Sequence, residues 1–365
     1  MISLDKLKKT PIYYIVGIGR SGTSMVTSLF HPNSKVWASP ENPFLLFFYH
    51  TYCRKTQWTA NDIEAVITYL GLIFETHPPI GWHFDATALR QTLLDLPDGT
   101  NYAEFCKAIY FHFLPAAYNK NPEEVQFILD KNPSYTLQWQ RLLRLNPLQT
   151  PKFLVMLRDY RANILSRKQS INVRKPQTAF DAYRWLLFNR AAQSLLRKHP
   201  DIAILVRYED MVMRPEEESK RVCAFFGVPY APDMLQFHQK EKKVYDDSGE
   251  SVAKSARFQK KYGDLARPIN TSRLEAWKTQ LSERDRLVAE YVCGKMGRQF
   301  GYETTLHIGL WQRIGLFFTT FIPFLRAFYD VYKDECLFYV SPTLKMSRIK
   351  WLNKTIKHAL AQQPR

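Results

Sequence analysis

Apolar runs alternate with stretches of helical spacing along this chain. Residues 12–16, 153–157 and 202–206 are continuous runs rich in β-branched, aromatic and other apolar residues, the composition of strands buried on both faces of a parallel sheet, and 125–129 also reads as a strand. Val36-Trp37 is a candidate for a short further strand. Helical spacing follows the first run at Met25, Val26, Leu29 and Phe30. It recurs over residues 63–74, 102–118, 136–145, from about Tyr160 through Ile164 and Leu165, and over 181–198, 215–226 and 274–300. Turn signals stand at His77-Pro78-Pro79, Pro97-Asp98-Gly99 and Asn121-Pro122, and Gly227 with Pro229, and Gly301, close two of the helices. Strands alternating with helices predict an α/β fold with a central parallel sheet. Residues 44–128 read as a mostly helical insert, and 239–270 as a long polar, basic loop, the kind that is usually functional or mobile.

The first strand runs into a glycine loop, Gly17-Ile-Gly-Arg-Ser-Gly22, and then a helix beginning at Thr23-Ser24. Strand, glycine loop and helix N-terminus together aim backbone N–H groups at one anion. The spacing Gly17-x4-Gly22 is that of a P-loop. Thr23 stands where a P-loop has the lysine that reaches the β- and γ-phosphates, and the cation is Arg20 inside the loop. A second anion site is suggested at the end of the run at 153–157. Arg158 closes that strand, and Ser166 lies eight residues on, about two helical turns in, where its hydroxyl can share a phosphate with the guanidinium. Arg161, Arg167, Lys168, Arg174 and Lys175 add positive field around it, as they would on an ordinary basic helix.

Two more residues carry chemistry. Lys131 follows the strand at 125–129, at the end where open α/β sheets bind ligands, although a solvated turn lysine would read the same. Glu41, in the constrained loop Ser39-Pro40-Glu41-Asn42-Pro43, is either a charge complementing a helix dipole or a general base facing the cradle. His77, His83 and His112 read as hydrogen-bonded structural groups, and no HExxH spacing supports a metal.

Composition narrows the class. With 365 residues, 45% hydrophobic, 24 Phe and 20 Tyr, the chain can bury a large core. A net charge of +17 implies an anionic partner: polyphosphorylated nucleotide, acidic glycan or membrane surface, with nucleic acid last because no nucleic-acid-binding module is visible. Five cysteines without CxxC pairs argue against a zinc site or a disulfide framework and fit a reducing compartment. The N-terminus runs into the first strand with no room for a signal peptide, so a cytoplasmic location is expected.

These pieces, in this order, resemble the sulfotransferase family that uses 3′-phosphoadenosine 5′-phosphosulfate (PAPS). Residues 17–24 resemble its 5′-phosphosulfate loop, 130–134 its internal Lys-x-Pro segment, and 153–159 with Ser166 its 3′-phosphate site. Residues 207–229 resemble its next strand and helix, and Pro268-Ile-Asn270, Trp277 and Phe300-Gly301-Tyr302 its closing helix. The resemblance spans residues 11–302 and implies a P-loop NTPase-like three-layer sandwich over residues 1–303, with 44–128 taking the acceptor. Arg20 inside the loop and Glu41 after the first helix resemble the Golgi-type glycan and tyrosylprotein branch more than the cytosolic aryl branch.

The resemblance implies O-sulfation with PAPS as donor, PAP as product and no metal. Ser21, Gly22, Thr23 and Ser24 would hold the 5′-phosphate, and Arg158 and Ser166 the 3′-phosphate. Tyr208 would neighbour the adenine. Glu41 would act as base, with Arg20 and Lys131 neutralising the leaving charge. The acceptor is a hydroxyl of a glycan, glycolipid or peptide; aromatics in 44–128 suit sugar stacking and core packing alike. A P-loop small-molecule kinase and a non-catalytic binder of anionic glycans are the rival classes.

Residues 304–365 extend past the resemblance. The apolar run 314–325 reads as too short for a span. Its aromatics, with Trp311, Trp351, Lys345, Arg348, Lys350, Lys354 and Lys357, suit peripheral attachment to the inner face of an anionic membrane. Packing on the chain's own domain or on a second copy in a homodimer reads equally well.

Overall fold

A computed structural model describes residues 2–76, 82–115, 118–146, 148–170, 177–247, 265–337, 342 and 344–347. Five apolar segments form one parallel sheet: β1 (Ile12–Gly17), β2 (Val36–Ala38), β3 (Phe127–Lys131), β4 (Phe153–Leu157) and β5 (Ala203–Arg207). The strand order is β2-β3-β1-β4-β5. In register, Ile15 lies opposite Lys131 and Gly17 opposite Met156, so β3, β1 and β4 end at one edge. β1 is the central strand, and the chain passes from one side of it to the other between β3 and β4. Open parallel sheets bind ligands at such a switch point.

The helices that matter here are α1 (Thr23–Leu29), α2 (Ala60–Thr76), α3 (Tyr102–Phe111), α4 (Tyr160–Lys168), α5 (Thr178–Lys198), α6 (Pro215–Phe226), α7 (Phe237–Asp247), α8 (Glu283–Gln299) and α9 (Leu310–Leu337). α1 and α6 cover one face of the sheet with a core of Ile15, Val26, Leu154, Val206 and Phe226. On the other face, Tyr14, Val155 and Ala192 of α5 join the apolar side chains of the helical segment after β2. α3 is fully buried and starts on an Asn101–Glu104 capping box. The aromatics Phe44, Phe48, Tyr52, Tyr69, Tyr102, Phe105 and Tyr110 are core residues. Of the two readings of that segment's aromatics, packing accounts for these.

Several boundaries differ from the sequence reading. The strand expected at 125–129 is displaced to Phe127–Lys131, so Lys131 is its last residue rather than a turn residue. The helix expected over 102–118 ends at Phe111 because Leu114–Pro115 pairs with Trp82–His83. The stretch 136–145 opens as a 3-10 turn and becomes α-helical at Trp139. That expected over 274–300 is broken: Trp277–Gln280 stops at an extended Leu281, and Ser282 caps α8. The supposed loop at 239–270 begins as helix α7, whose polar composition conceals its apolar anchor Phe237. The turn at 77–79, Arg174 and Lys175, the rest of that loop to residue 264, and Arg348, Lys350, Trp351, Lys354 and Lys357 lie outside the described residues.

The tail needs the largest correction. The run 314–325 lies inside a 28-residue helix, and its stretch Leu310–Lys333 is long and apolar enough to cross a membrane. Polar residues inside the helix had interrupted the apolar run as read along the chain. One face of α9 nevertheless packs on α5. Thr320, Ala327 and Val331 are buried, Tyr183 and Thr320 share a hydrogen bond at 3.1 Å, and Arg184 pairs with Asp330 at 2.8 Å.

Candidate active site

The turn after β1 is built for close approach. Gly17 has φ +136°, and a Cβ there would lie 2.3 Å from the Met156 carbonyl oxygen of β4. Gly22 has φ +90°, and its Cβ would meet the Tyr208 ring at 2.6 Å. Glycine is required at both positions. Arg20 adopts φ +74°, the one left-handed non-glycine among the described residues. α1 starts at Thr23 without a side-chain cap, so the N–H groups of its first turn receive no side-chain acceptor at the N-cap.

Buried side chains tie this loop down. The Gly17 N–H donates to Thr136 Oγ1 at 2.7 Å. Asn163 Nδ2, on α4, donates to the Gly19 carbonyl and to Ser21 Oγ, both at 3.1 Å. Ser21 is fully buried, its hydroxyl turned to Asn163. Thr23 and Ser24 line the adjoining cleft together with Arg20, Gly22, Arg158, Ser166 and Tyr208. Every residue proposed for the two phosphates therefore reaches this cleft or, for Ser21, the loop beneath it.

The two phosphate assignments are less separate than the sequence suggests. Arg20 Nε donates to Ser166 Oγ at 3.1 Å, so the loop cation touches the serine assigned to the other phosphate. Arg158 Nη1 donates to the Arg20 carbonyl at 3.1 Å, and its guanidinium stacks on Tyr208 at 4.2 Å. Arg158 is 5% exposed, and its Nε is buried with no hydrogen-bond partner among the described residues. Burial pulls its pKa below the usual arginine range, with Tyr208 and Glu209 opposing. A buried cation with an unsatisfied donor, lining a cleft beside a cradle of N–H groups, suits a bound anion.

The corner holding Arg158 is braced from behind. Trp185 Nε1 donates to the Arg158 carbonyl at 3.0 Å, and the Asp159 N–H donates to Glu209, which also accepts from the Tyr302 hydroxyl at 2.8 Å. Arg161, expected to add field to the site, is instead structural. It is buried against Asp159 and Glu290 and stacks on Trp277 at 3.9 Å. Arg167 and Lys168 are likewise paired, with Asp181 and Asp285.

Lys131, at the end of β3, donates to Glu41 Oε2. The ammonium is 8% exposed and the carboxylate 47%, so the lysine is held inside while the carboxylate opens outward. Behind them, Asp130 is fully buried and accepts from the Tyr110 hydroxyl. Desolvation pushes the Asp130 pKa up to about 7, against the hydrogen bonds from Tyr110 and Asn132. Lys120 ties down the turn that leads into β2, donating to the carbonyls of Asn33 at 2.9 Å and Val36 at 2.5 Å. His31 pairs with Glu241 of α7 at 2.6 Å. His112 bonds Thr92 and is held below the usual histidine range by burial, as expected of a structural histidine.

Sequence reasoning assigned no role to Thr136, Asn163, Glu209 and Asp130. It also missed Arg267 and Arg273, which line the cleft opposite the loop. Asp130, Thr136, Asn163 and Glu209 all stand inside stretches the sequence singles out, Asn163 as a polar residue inside the Arg158–Ser166 unit.

A model described as "Sulfotransferase family" matches residues 11–232. A putative protein-tyrosine sulfotransferase of Caenorhabditis briggsae is 27% identical over 176 residues, covering 47% of this chain and 59% of that protein. Nodulation protein NoeE of Sinorhizobium fredii is 24% identical over 316 residues, covering 81% of this chain and 67% of that protein. The chain thus spans about three fifths to two thirds of these relatives. Among solved structures, the sulfotransferase domain from the Synechococcus PCC 7002 olefin synthase superposes with a TM-score of 0.52 at 17% identity, covering 81% of this chain and 97% of that domain.

Proposed function

The chain belongs to the sulfotransferase family, and from that premise we propose that it transfers a sulfuryl group from PAPS to an acceptor hydroxyl. The observation that carries this reading is the convergence of Arg20, Arg158 and Ser166 on the glycine-loop cleft, with the Glu41–Lys131 pair at the same sheet edge. PAPS supplies an activated sulfuryl group when bound, and PAP is the product. The N–H groups from Ser21 to Ser24, with the Thr23 and Ser24 hydroxyls, hold the 5′-phosphate. Arg158 and Ser166 hold the 3′-phosphate, and Tyr208 borders the adenine. Arg20 reaches both regions.

Glu41 accepts the acceptor's hydroxyl proton as that oxygen forms its bond to sulfur and the bond from sulfur to the leaving phosphate oxygen breaks. Lys131 aims Glu41 through their hydrogen bond, and with Arg20 it neutralises charge on the leaving oxygen, a preorganised field of the kind that is usually the largest catalytic contribution. The net charge of +17 favours an anionic acceptor, a glycan or glycolipid. A tyrosyl hydroxyl is the second reading, favoured by the similarity to a protein named as a protein-tyrosine sulfotransferase.

Calorimetric titration with PAP and with ATP tests the donor. PAP binding well above ATP binding is expected; ATP binding at least as tightly would put a P-loop kinase first. Transfer of labelled sulfate to glycan, glycolipid and tyrosyl peptide in parallel then identifies the acceptor.

A further inference from the structure

Helix α9 has two apolar faces and only one of them is covered. Thr320, Ala327 and Val331 face α5. On the other side, Trp311, Ile314, Phe318, Ile322, Leu325 and Tyr329 recur at steps of three and four, which lays them along one stripe. Trp311 is 82% exposed, Phe318 72% and Tyr329 66%. A contiguous exposed apolar surface of this kind marks a contact with something else.

The charges beside the stripe indicate what it meets. Between α9 and the starts of α5 and α8 runs a groove walled by Leu316, Ile322 and Pro323; its Lys168 is paired with Asp285, and Arg284 and Arg326 carry its remaining positive charge. Arg284 is exposed, and Arg326 donates to the neutral Gln177 amide oxygen at 3.4 Å. Cations flanking an apolar, Trp- and Tyr-bearing helix face complement a surface of anionic headgroups over acyl chains. The whole chain adds a net charge of +17 to that attraction.

We propose that the outer face of α9 is a membrane-docking surface that lies in the plane of a bilayer containing anionic lipids, its apolar stripe among the acyl chains and Arg284 and Arg326 at the headgroups. The helix does not cross the bilayer, although Leu310–Lys333 has the length and hydropathy to do so. Crossing would strip α9 from α5, break the Tyr183–Thr320 hydrogen bond and carry Asp330 away from Arg184 and, with Lys333, toward the hydrocarbon. Docking in the plane keeps all of these. The surface is independent of the donor chemistry, and it presents the enzyme to acceptors carried on lipids.

Flotation with vesicles tests this. The full chain is expected to float with phosphatidylcholine–phosphatidylglycerol vesicles much more than with pure phosphatidylcholine, and to be released by alkaline carbonate. Substituting Trp311→Ser, Phe318→Ser and Ile322→Ser together is expected to lower the partition constant at least about a hundredfold while PAP affinity is retained. The single exposed change Arg284→Glu poses no threat to the fold and is expected to lower partitioning onto anionic vesicles by about fivefold or more. Failure of the wild type to float, equal flotation of both variants, or resistance to carbonate would each overturn the proposal. So would a wild-type dimer that the triple variant turns into a monomer without any vesicle binding, which would make the stripe a contact between copies.

Discussion

Replacing Arg158 with alanine should weaken PAP binding far more than binding of adenosine 5′-monophosphate, which lacks the 3′-phosphate. A hydrogen bond to a charged group contributes about 1.5–3 kcal/mol, and Arg158 is positioned to make at least one. Its Nε is buried with no hydrogen-bond partner among the described residues, whereas Nη1 and Nη2 are held by the carbonyls of Arg20 and Arg273. The expected loss for PAP is therefore about 2–3 kcal/mol, roughly thirtyfold to more than a hundredfold in Kd. The substitution also removes the stack on Tyr208 and the tether on the Arg20 carbonyl, which disturbs the cradle for any ligand. Comparing the two nucleotides cancels that shared disturbance, because the cycle isolates the interaction between side chain and 3′-phosphate. Titration calorimetry on both proteins with both ligands measures all four affinities. Equal losses for the two nucleotides would refute the 3′-phosphate assignment and leave Arg158 as a brace for the loop.

Further outcomes follow from the same geometry. Glu41→Gln should lower the transfer rate by about 10²–10⁴-fold with PAP affinity little changed, as read by steady-state kinetics and titration; an unchanged rate would remove Glu41 as the base. Gly17→Ala should destabilise the chain by more than about 1–3 kcal/mol in urea unfolding, since its Cβ would collide with the Met156 carbonyl at a positive φ. Asp130, with a folded pKa raised to about 7, binds its proton more tightly folded than unfolded, so its contribution is complete below about pH 4 and is lost as pH rises to 7. The loss amounts to about 4 kcal/mol, and Asp130→Asn should flatten that part of the stability–pH curve; parallel curves for both proteins would contradict the assignment. Glu290→Ala should cost about 3–5 kcal/mol, because Arg161 would be left buried beside a lost partner, with the Thr305 and Leu306 N–H groups unpaired.

Much of the fold was legible because its signals are local. A parallel strand buried on both faces must be continuously apolar, so 153–157 shows itself without any knowledge of its neighbours, and β4 spans those residues. The glycine cradle is local too: Gly17 and Gly22 lie five positions apart and adopt the positive φ values the loop demands. Helix ends were less legible where a distant partner decides them. Phe111 ends α3 because Leu114–Pro115 pairs with a strand far back in the chain, and the polar α7 is held at Phe237 by a core its own residues do not advertise.

The sequence by itself thus determined which segments are strands, where the glycine loop lies, and which residues could bear charge at it. Tertiary structure alone decided which charges work together. Glu41 and Lys131 are 90 residues apart, and Arg20 and Ser166 146 apart. The order β2-β3-β1-β4 brings their strand ends to one edge. It also sorted the basic residues: among the described residues Arg158 keeps a buried donor without a partner, while Arg161, of the same type three positions on, is consumed by Asp159 and Glu290. It divided α9 into a face packed on α5 and a face left open. Burial and pairing depend on what stands opposite a side chain, and that is a property of the packed chain rather than of its local composition.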